Sequence, residues 1–315
     1  MKVQTVTILS AAALALASPA AHAEWPEQAI TLIVAYSPGG GTDTTARTLA
    51  PLLEKELGTD IVVVNRPGAS GEIGYTAIAT AEPDGYTMGI LNVPPAITIP
   101  ITRDTRVSLD DVMPIANLIE DPSAFSVAHD SPFRTLEDLV AYAAENPASV
   151  TVAITGVGTD DHLAVVYFEQ ATGIDLTPVP FPGSGPARIA LMGGHVSMAA
   201  INLGGMMPYT DSVRILAHFG GDRTDLAPDI PTVRESGWDV TMTSERGVAF
   251  PAGVPDALVT TVAAAVERVA TSRAWKDALA QQFTVDNFMG PDAFAAHLHT
   301  LDTSYRALWA DNPWQ

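Results

Sequence analysis

Residues 31–71, "TLIVAYSPGGGTDTTARTLAPLLEKELGTDIVVVNRPGASG", are echoed by residues 151–186, "TVAITGVGTDDHLAVVYFEQATGIDLTPVPFPGSGP". Gly41-Thr42-Asp43 matches Gly158-Thr159-Asp160, Gly58 matches Gly173, and Pro67-Gly68 matches Pro182-Gly183, with a register drift of only two residues across the match. Each copy reads as a strand, a Gly-rich turn, a helix and a second strand. "ITLIVAY" (30–36) is a continuous apolar run, and Ala46, Leu49, Ala50, Leu53 and Leu57 then recur at helical spacing until Gly58 ends the helix. In the second copy Ala164, Tyr167, Phe168 and Ala171 supply the apolar stripe. Units of α/β type share turn chemistry, so the glycines alone are a weak signal. Their order and spacing together predict two similarly built lobes.

Outward from the first copy, "DIVVVN" (60–65) and "GYTMGIL" (85–91) read as strands and "GYTAIATAEP" (74–83) as a helix. Such alternation predicts an α/β fold with parallel, doubly wound sheets covered on both faces. The crossing into the second lobe is expected near Glu120–Ser123. It precedes a helix in "AHDSPFRTLEDLVAYAAENP" (128–147), which opens on a Thr135/Asp138 cap signal. "TSERGVAFPAGVP" (243–255) reads as the returning strand, followed by helices at 256–272 and 292–310. Lobe one is then 24–121 plus 246–315 and lobe two 122–245. Two crossings make a hinge, and ligands are expected at the carboxyl edges of the two sheets, in the cleft between lobes.

Composition narrows the function. Lys2, the apolar run "VTILSAAALALA" and the Ala21-His22-Ala23 site read as a secretory signal, residues 1–23, cut after Ala23. The run is too short to span a bilayer. The chain has no cysteine, which excludes disulfides, thiolate metal sites and a thiol nucleophile. The formal net charge of −20, which becomes −21 once Lys2 is removed, disfavours nucleic acid and anionic membrane as partners. Any anionic ligand must therefore be held by local features against an unfavourable overall field.

The loop "SPGGGTDTTAR" (37–47) is neither a Walker loop, lacking Gly-Lys-Ser/Thr, nor a G-x-G-x-x-G turn. A helix N-terminus accepts anions through unpaired N–H groups, and glycines let a ligand approach them closely. The loop reads either as a tight turn capped by Thr42 or Asp43 or as a ligand seat, and its recurrence in the second copy favours the seat. Asp43 would repel an anion unless it is spent on a cap or a water, and Asp160 and Asp161 raise the same difficulty. His162 reads as a structural hydrogen-bonder near a helix start. The remaining histidines of the mature chain show no metal-ligand spacing, and neither "GASGE" nor "PGSGP" is a G-x-S-x-G elbow. Ser184 reads as a loop hydroxyl. Arg246 is the basic residue singled out as a carboxylate grip, against a pairing with Glu245 or another surface acid.

"IVAYSPGGGTDTTAR", "VVVNRPGASGEIG", "AEPDGYTMGI", "GVGTDDHLA", "PFPGSGPARIALMGGHVSM", "APDIPTVRESGW" and "GVAFPAGVP" occur in this order. As an ordered set they resemble the Bug-type solute-binding proteins of tripartite tricarboxylate transporters. The resemblance implies a type II periplasmic-binding-protein fold, two doubly wound α/β lobes joined by a two-strand hinge. It also implies no catalysis, no cofactor, a monomer, and a small mono-, di- or tricarboxylate delivered to membrane permease subunits. On lobe one it implicates Tyr36, Ser37, Pro38, Gly39, Gly40, Thr42 and Asp43, partly through ordered waters. From lobe two it brings Thr155, Gly158, Thr159, Asp160, His162, Gly183 and Ser184. Asn92, Asn202 and Arg246 complete the expected site. "NVPPAIT", "AINLGG" and the paired acids at 160–161 depart from the family pattern and bear on which ligand is bound. The competing readings are an exported α/β hydrolase or lyase using His162 or Ser184, and a ligand-binding sensor adaptor.

Overall fold

A computed structural model describes residues 25–311, 313 and 314, so the signal segment and its cleavage site lie outside the described residues. The chain begins with β1 (Ile30–Val34), α1 (Gly41–Leu57), β2 (Ile61–Asn65), α2 (Glu72–Ala79), β3 (Thr87–Val93) and α3 (Pro95–Thr102). A 17-residue strand, β4 (Val112–Ala128), leads to α4 (Leu136–Glu145), β5 (Thr151–Ile154), α5 (Asp160–Thr172), β6 (Thr177–Pro180) and α6 (Ser184–Met192). Then follow β7 (Met198–Asn202), α7 (Leu203–Met206), β8 (Val213–His218) and β9 (Thr243–Pro251). The chain closes with α8 (Asp256–Thr271), α9 (Arg273–Gln281), β10 (Val285–Met289) and α10 (Pro291–Asp311).

The repeat is visible atom by atom. Gly58 and Gly173 end α1 and α5 in the left-handed conformation, at φ 72° and 73°, each donating its N–H to the carbonyl of Glu54 or Glu169. The same two glutamates anchor the following strands: Glu54 Oε1 accepts Ile61 N at 3.0 Å, and Glu169 Oε1 accepts Leu176 N at 2.6 Å.

Both faces of each parallel strand set are covered, which is why the strands read as unbroken apolar runs. Along β1, Leu32 and Val34 pack with Leu49, Leu53 and Val266, while Ile33 turns to Tyr75, Ile78 and Leu91. Along β5, Val152 and Ile154 join Leu163 and Phe168, and Ala153 faces Ala187 and Leu191.

The strand order is β2-β1-β3-β9-β4-β7-β5-β6, with β8 and β10 also pairing β4. The outer trios are parallel, but β9 is antiparallel to β3 and β4, and β4 is antiparallel to β7. This departs from the all-parallel expectation. Antiparallel neighbours need no crossover helix, so helix–strand alternation does not register them. Asn117, Glu120, Asp121, Pro114 and Pro122 also break the apolar signature of β4. Its first half pairs β9 as far as Pro122–Thr243, and from Ser123 its second half pairs β7 and β8. Thus β4 itself runs from one lobe into the other. After β9, α10 starts with Phe294 and Leu298 against Val93 and Ile97, and the tail ends with Trp314 in the Leu163–Phe168 core, so this segment touches both lobes.

Candidate functional site

The two Gly-rich turns meet face to face. Ser37 N donates to Pro182 O at 3.1 Å, Gly41 N to Ser184 Oγ at 3.2 Å, and Arg188 Nη2 to Gly39 O at 3.3 Å. A Cβ on Gly40 would stand 2.8 Å from Ser184 Oγ, and one on Gly41 would stand 2.7 Å from Arg246 Nη2, so a side chain at either position would displace Ser184 or Arg246 from the seam. Helix α1 starts behind it with Gly40 as N-cap and no capping side chain, so the alternative of a turn capped by Thr42 or Asp43 is not the one that forms. Of its first N–H groups, that of Gly41 is taken by Ser184 Oγ across the seam.

Of the sequence-derived candidates, Tyr36, Gly40, Thr42 and Asn92 from lobe one line a common cavity with Thr155, Asp160, Ser184, Asn202 and Arg246. Its volume is about 20 Å³, room for one water. Two larger hollows adjoin it. One of about 130 Å³ lies beside Arg188 and Gly204, and one of about 300 Å³ beside Ser70, Arg103 and Phe181.

The other candidates build the walls. Ser37, Pro38, Gly39 and Gly183 belong to the interlobe seam. Asp43 faces away: its carboxylate accepts Gly39 N, Arg47 Nε and Asn65 Nδ2 at 2.9, 3.0 and 2.9 Å. Burial pushes this carboxyl up, but those donors outweigh it and hold it below the usual range. It is spent on ordering its own loop. Thr159 caps α5 by accepting His162 N and donating to Gly156 O, and Gly158 O accepts the Thr98 hydroxyl across the cleft. His162 Nδ1 accepts Gly158 N at 3.2 Å, and burial pulls its pKa down to about 4, so the ring is neutral. It is a loop fastener, as its place at a helix start suggests.

Arg246 departs from expectation in its partner. Neighbours on a strand face opposite ways, so Glu245 turns to His297 (2.9 Å) and Arg246 turns inward to Asp121, Nη2 to Oδ2 at 3.0 Å. Both members of that pair are at most 2 % exposed, a buried ion pair rather than a surface one. The network continues through Asn202, whose Oδ1 accepts Arg246 Nη2 (3.2 Å) and whose Nδ2 donates to Asp160 Oδ2 (2.6 Å). Ser123 Oγ also donates to that oxygen at 3.1 Å, and Gly204 N to Asp121 Oδ1 at 2.9 Å. Burial raises the carboxyls of Asp121 and Asp160, and Asp161 further still because it sits against Asp160. Arg246 Nε and Asn92 Oδ1 are buried without partners.

Sequence reasoning missed Gly41, Ser244, Asp121, Ser123 and Arg188. Gly41 lay within the quoted loop, and Ser244 shares a strand face with Arg246 two residues on, so both had a signal. Asp121 had none, because its partner is 125 residues away. No group of three or more metal-ligating side chains occurs among the described residues.

Residues 45–301 match the tripartite tricarboxylate transporter family receptor, TctC. The chain is similar to the UPF0065 protein in the gbd 5' region of Cupriavidus necator, 30% identical over 292 residues, which cover 90% of this chain and 88% of that one. It is 29% identical to BugT of Bordetella pertussis, covering 88% and 87% of the two chains. Among solved structures, a periplasmic transporter shares 29% identity at TM-score 0.88, covering 92% of this chain and 99% of that chain. R. palustris Rpa4515 with adipate shares 27% at 0.86, over 91% and 97%. MatC from Rhodopseudomonas palustris with bound malate shares 25% at 0.85, over 90% and 99%. The type II binding-protein architecture and the paired Gly-rich turns have their explanation here: the chain belongs to the family of tripartite tricarboxylate transporter receptors, which are solute-binding proteins and not enzymes.

Proposed function

We propose that this chain, exported and cleaved after Ala23, captures a small organic carboxylate between lobe one (24–121 plus 246–315) and lobe two (122–245). As a monomer it hands the ligand to the membrane permease subunits of a tripartite carrier. The carrying observation is the meeting of two Gly-rich turns from opposite lobes on a cavity lined by Arg246, whose Nε is buried without a partner, and by the uncapped start of α1. That adipate and malate occupy related proteins supports the ligand class. No helix among the described residues is long and apolar enough to cross a membrane, in keeping with a receptor that meets its permease from outside the bilayer. Micromolar capture requires about 8 kcal/mol, which several charge-assisted hydrogen bonds of about 1.5–3 kcal/mol each supply. Hinge closure then seals the ligand from water.

The chemistry favours binding over turnover. Ser184 Oγ accepts a backbone N–H, and His162 is fastened to Gly158, so neither forms a nucleophile–base pair with the other. A thermal-shift screen of mono-, di- and tricarboxylic acids, with NMR of the incubated acids, tests the proposal. A rise in melting temperature without product is the expected result. A flat response to the whole panel, or product formation, overturns it.

A further inference from the structure

The cavity is asymmetric in charge and in hydrogen-bonding sense. Among its lining residues Arg246 is the single cation, and Asp121 already neutralises it at 3.0 Å. Its Nε, buried and unpartnered, is a donor awaiting an acceptor. On the other side of Asn202, Asp160 lines the same cavity, its Oδ2 accepting Asn202 Nδ2 and Ser123 Oγ. Asp160 is the single acid among the lining residues, and Asp121 and Arg188 line the adjoining hollow instead. Asn92 lines the cavity too; with Nδ2 donated to Thr42 Oγ1 at 2.8 Å, its Oδ1 is a buried acceptor without a donor. Turning that amide over would only exchange which of its atoms is free.

A ligand with carboxylates at both ends would set one of them against Asp160. A ligand with one carboxylate and one ammonium meets no such conflict. We propose that the cleft selects a small zwitterionic amino acid, its carboxylate on Arg246 Nε and the start of α1 and its ammonium on Asp160, which is the specificity-determining residue. Asn202 links Arg246 to Asp160 through a single amide, so the spacing suits a short α-, β- or γ-amino acid. This inference rests on the cleft being the binding site for a small organic acid, as proposed above.

The test is calorimetry of the mature chain with pairs matched in length, the second member carrying ammonium in place of a carboxylate: succinate against β-alanine, and glutarate against γ-aminobutyrate. Malonate against glycine adds the α-amino case. In at least one comparison the amino acid should bind about thirty-fold or more tightly than the diacid, the scale expected for a buried charge pair. Asp160→Asn should remove that preference. Tighter binding of the diacid in every comparison overturns the inference while leaving the carboxylate-receptor reading intact. Binding of no member at all counts against both. An amino-acid preference that survives Asp160→Asn removes Asp160 as its source, and if that variant fails to fold the wild-type ranking decides alone.

Discussion

Replacing Arg246 by methionine is the sharpest probe of how the cleft is held together. The side chain is 2 % exposed, and its Nη2 serves Asp121 and Asn202 at 3.0 and 3.2 Å. Methionine keeps most of the packing but leaves Asp121 buried without its ion-pair partner and Asp160 without the nearby guanidinium. Breaking a buried pair from one side costs about 3–5 kcal/mol, and we expect that range at about pH 7. The sign of the pH dependence follows from the acids. Burial already raises both carboxyls and Arg246 opposes it, so removing the arginine raises them further. A carboxyl whose folded-state pKa lies above its unfolded value is favourable below the ordinary carboxylate range and loses that contribution as pH rises through the folded value. The penalty should therefore shrink as pH falls toward about 5, where the orphaned acids take up protons. Urea denaturation of wild type and variant at both pH values is the assay. A loss under about 1 kcal/mol at pH 7, or a loss that does not change with pH, would refute the network as drawn.

Other outcomes follow from the same geometry. Gly40→Val places a side chain within 2.8 Å of Ser184 Oγ, so it should cut ligand affinity about ten-fold or more while leaving the melting temperature within a few degrees of wild type. Titrations with the organic acid found in the screen, alongside a melt, check this. His162, ordinarily near pH 6.5 but pulled to about 4 by burial, is kept neutral in the folded chain. Its contribution is present above the unfolded value and lost as pH falls from about 6.5 through about 4, up to about 3 kcal/mol, so His162→Gln should flatten stability over that window. Glu54→Ala and Glu169→Ala each remove a strand anchor in a different lobe, and each should cost about 1 kcal/mol. The double variant should be additive within about 0.5 kcal/mol; strong coupling would contradict two separately packed repeats.

The repeat made the architecture legible because its turns obey local rules. Gly58 and Gly173 announce left-handed caps, and the apolar runs of β1 and β5 announce strands covered on both faces. The Thr135/Asp138 box at the start of α4 was equally plain and forms as expected. What stayed hidden is what local pattern does not encode. β4 carries prolines and buried polar residues because it spans the cleft floor, where Asp121 and Ser123 serve the site instead of the core. The partner of Arg246 was obscure for the same reason: strand pairing across 125 residues, rather than adjacency to Glu245, puts Asp121 beside it. Asp43 and Asp160 occupy matching turns but do opposite work. The first is consumed by Arg47, Gly39 and Asn65, and the second faces the cavity.

Capture between two lobes is the central claim, and the absence of cysteine makes it directly measurable. Val62→Cys on β2 and Ile189→Cys on α6 change side chains that are 50% and 70% exposed, on the outer parts of lobe one and lobe two. Spin labels at both sites report the interlobe distance by pulsed electron resonance. With saturating ligand from the screen, a single narrow distance should appear, set by the Ser37–Pro182 and Gly41–Ser184 seam. Without ligand the distribution should shift to longer distances as the lobes part. An identical distribution with and without an acid that demonstrably binds would contradict capture by closure.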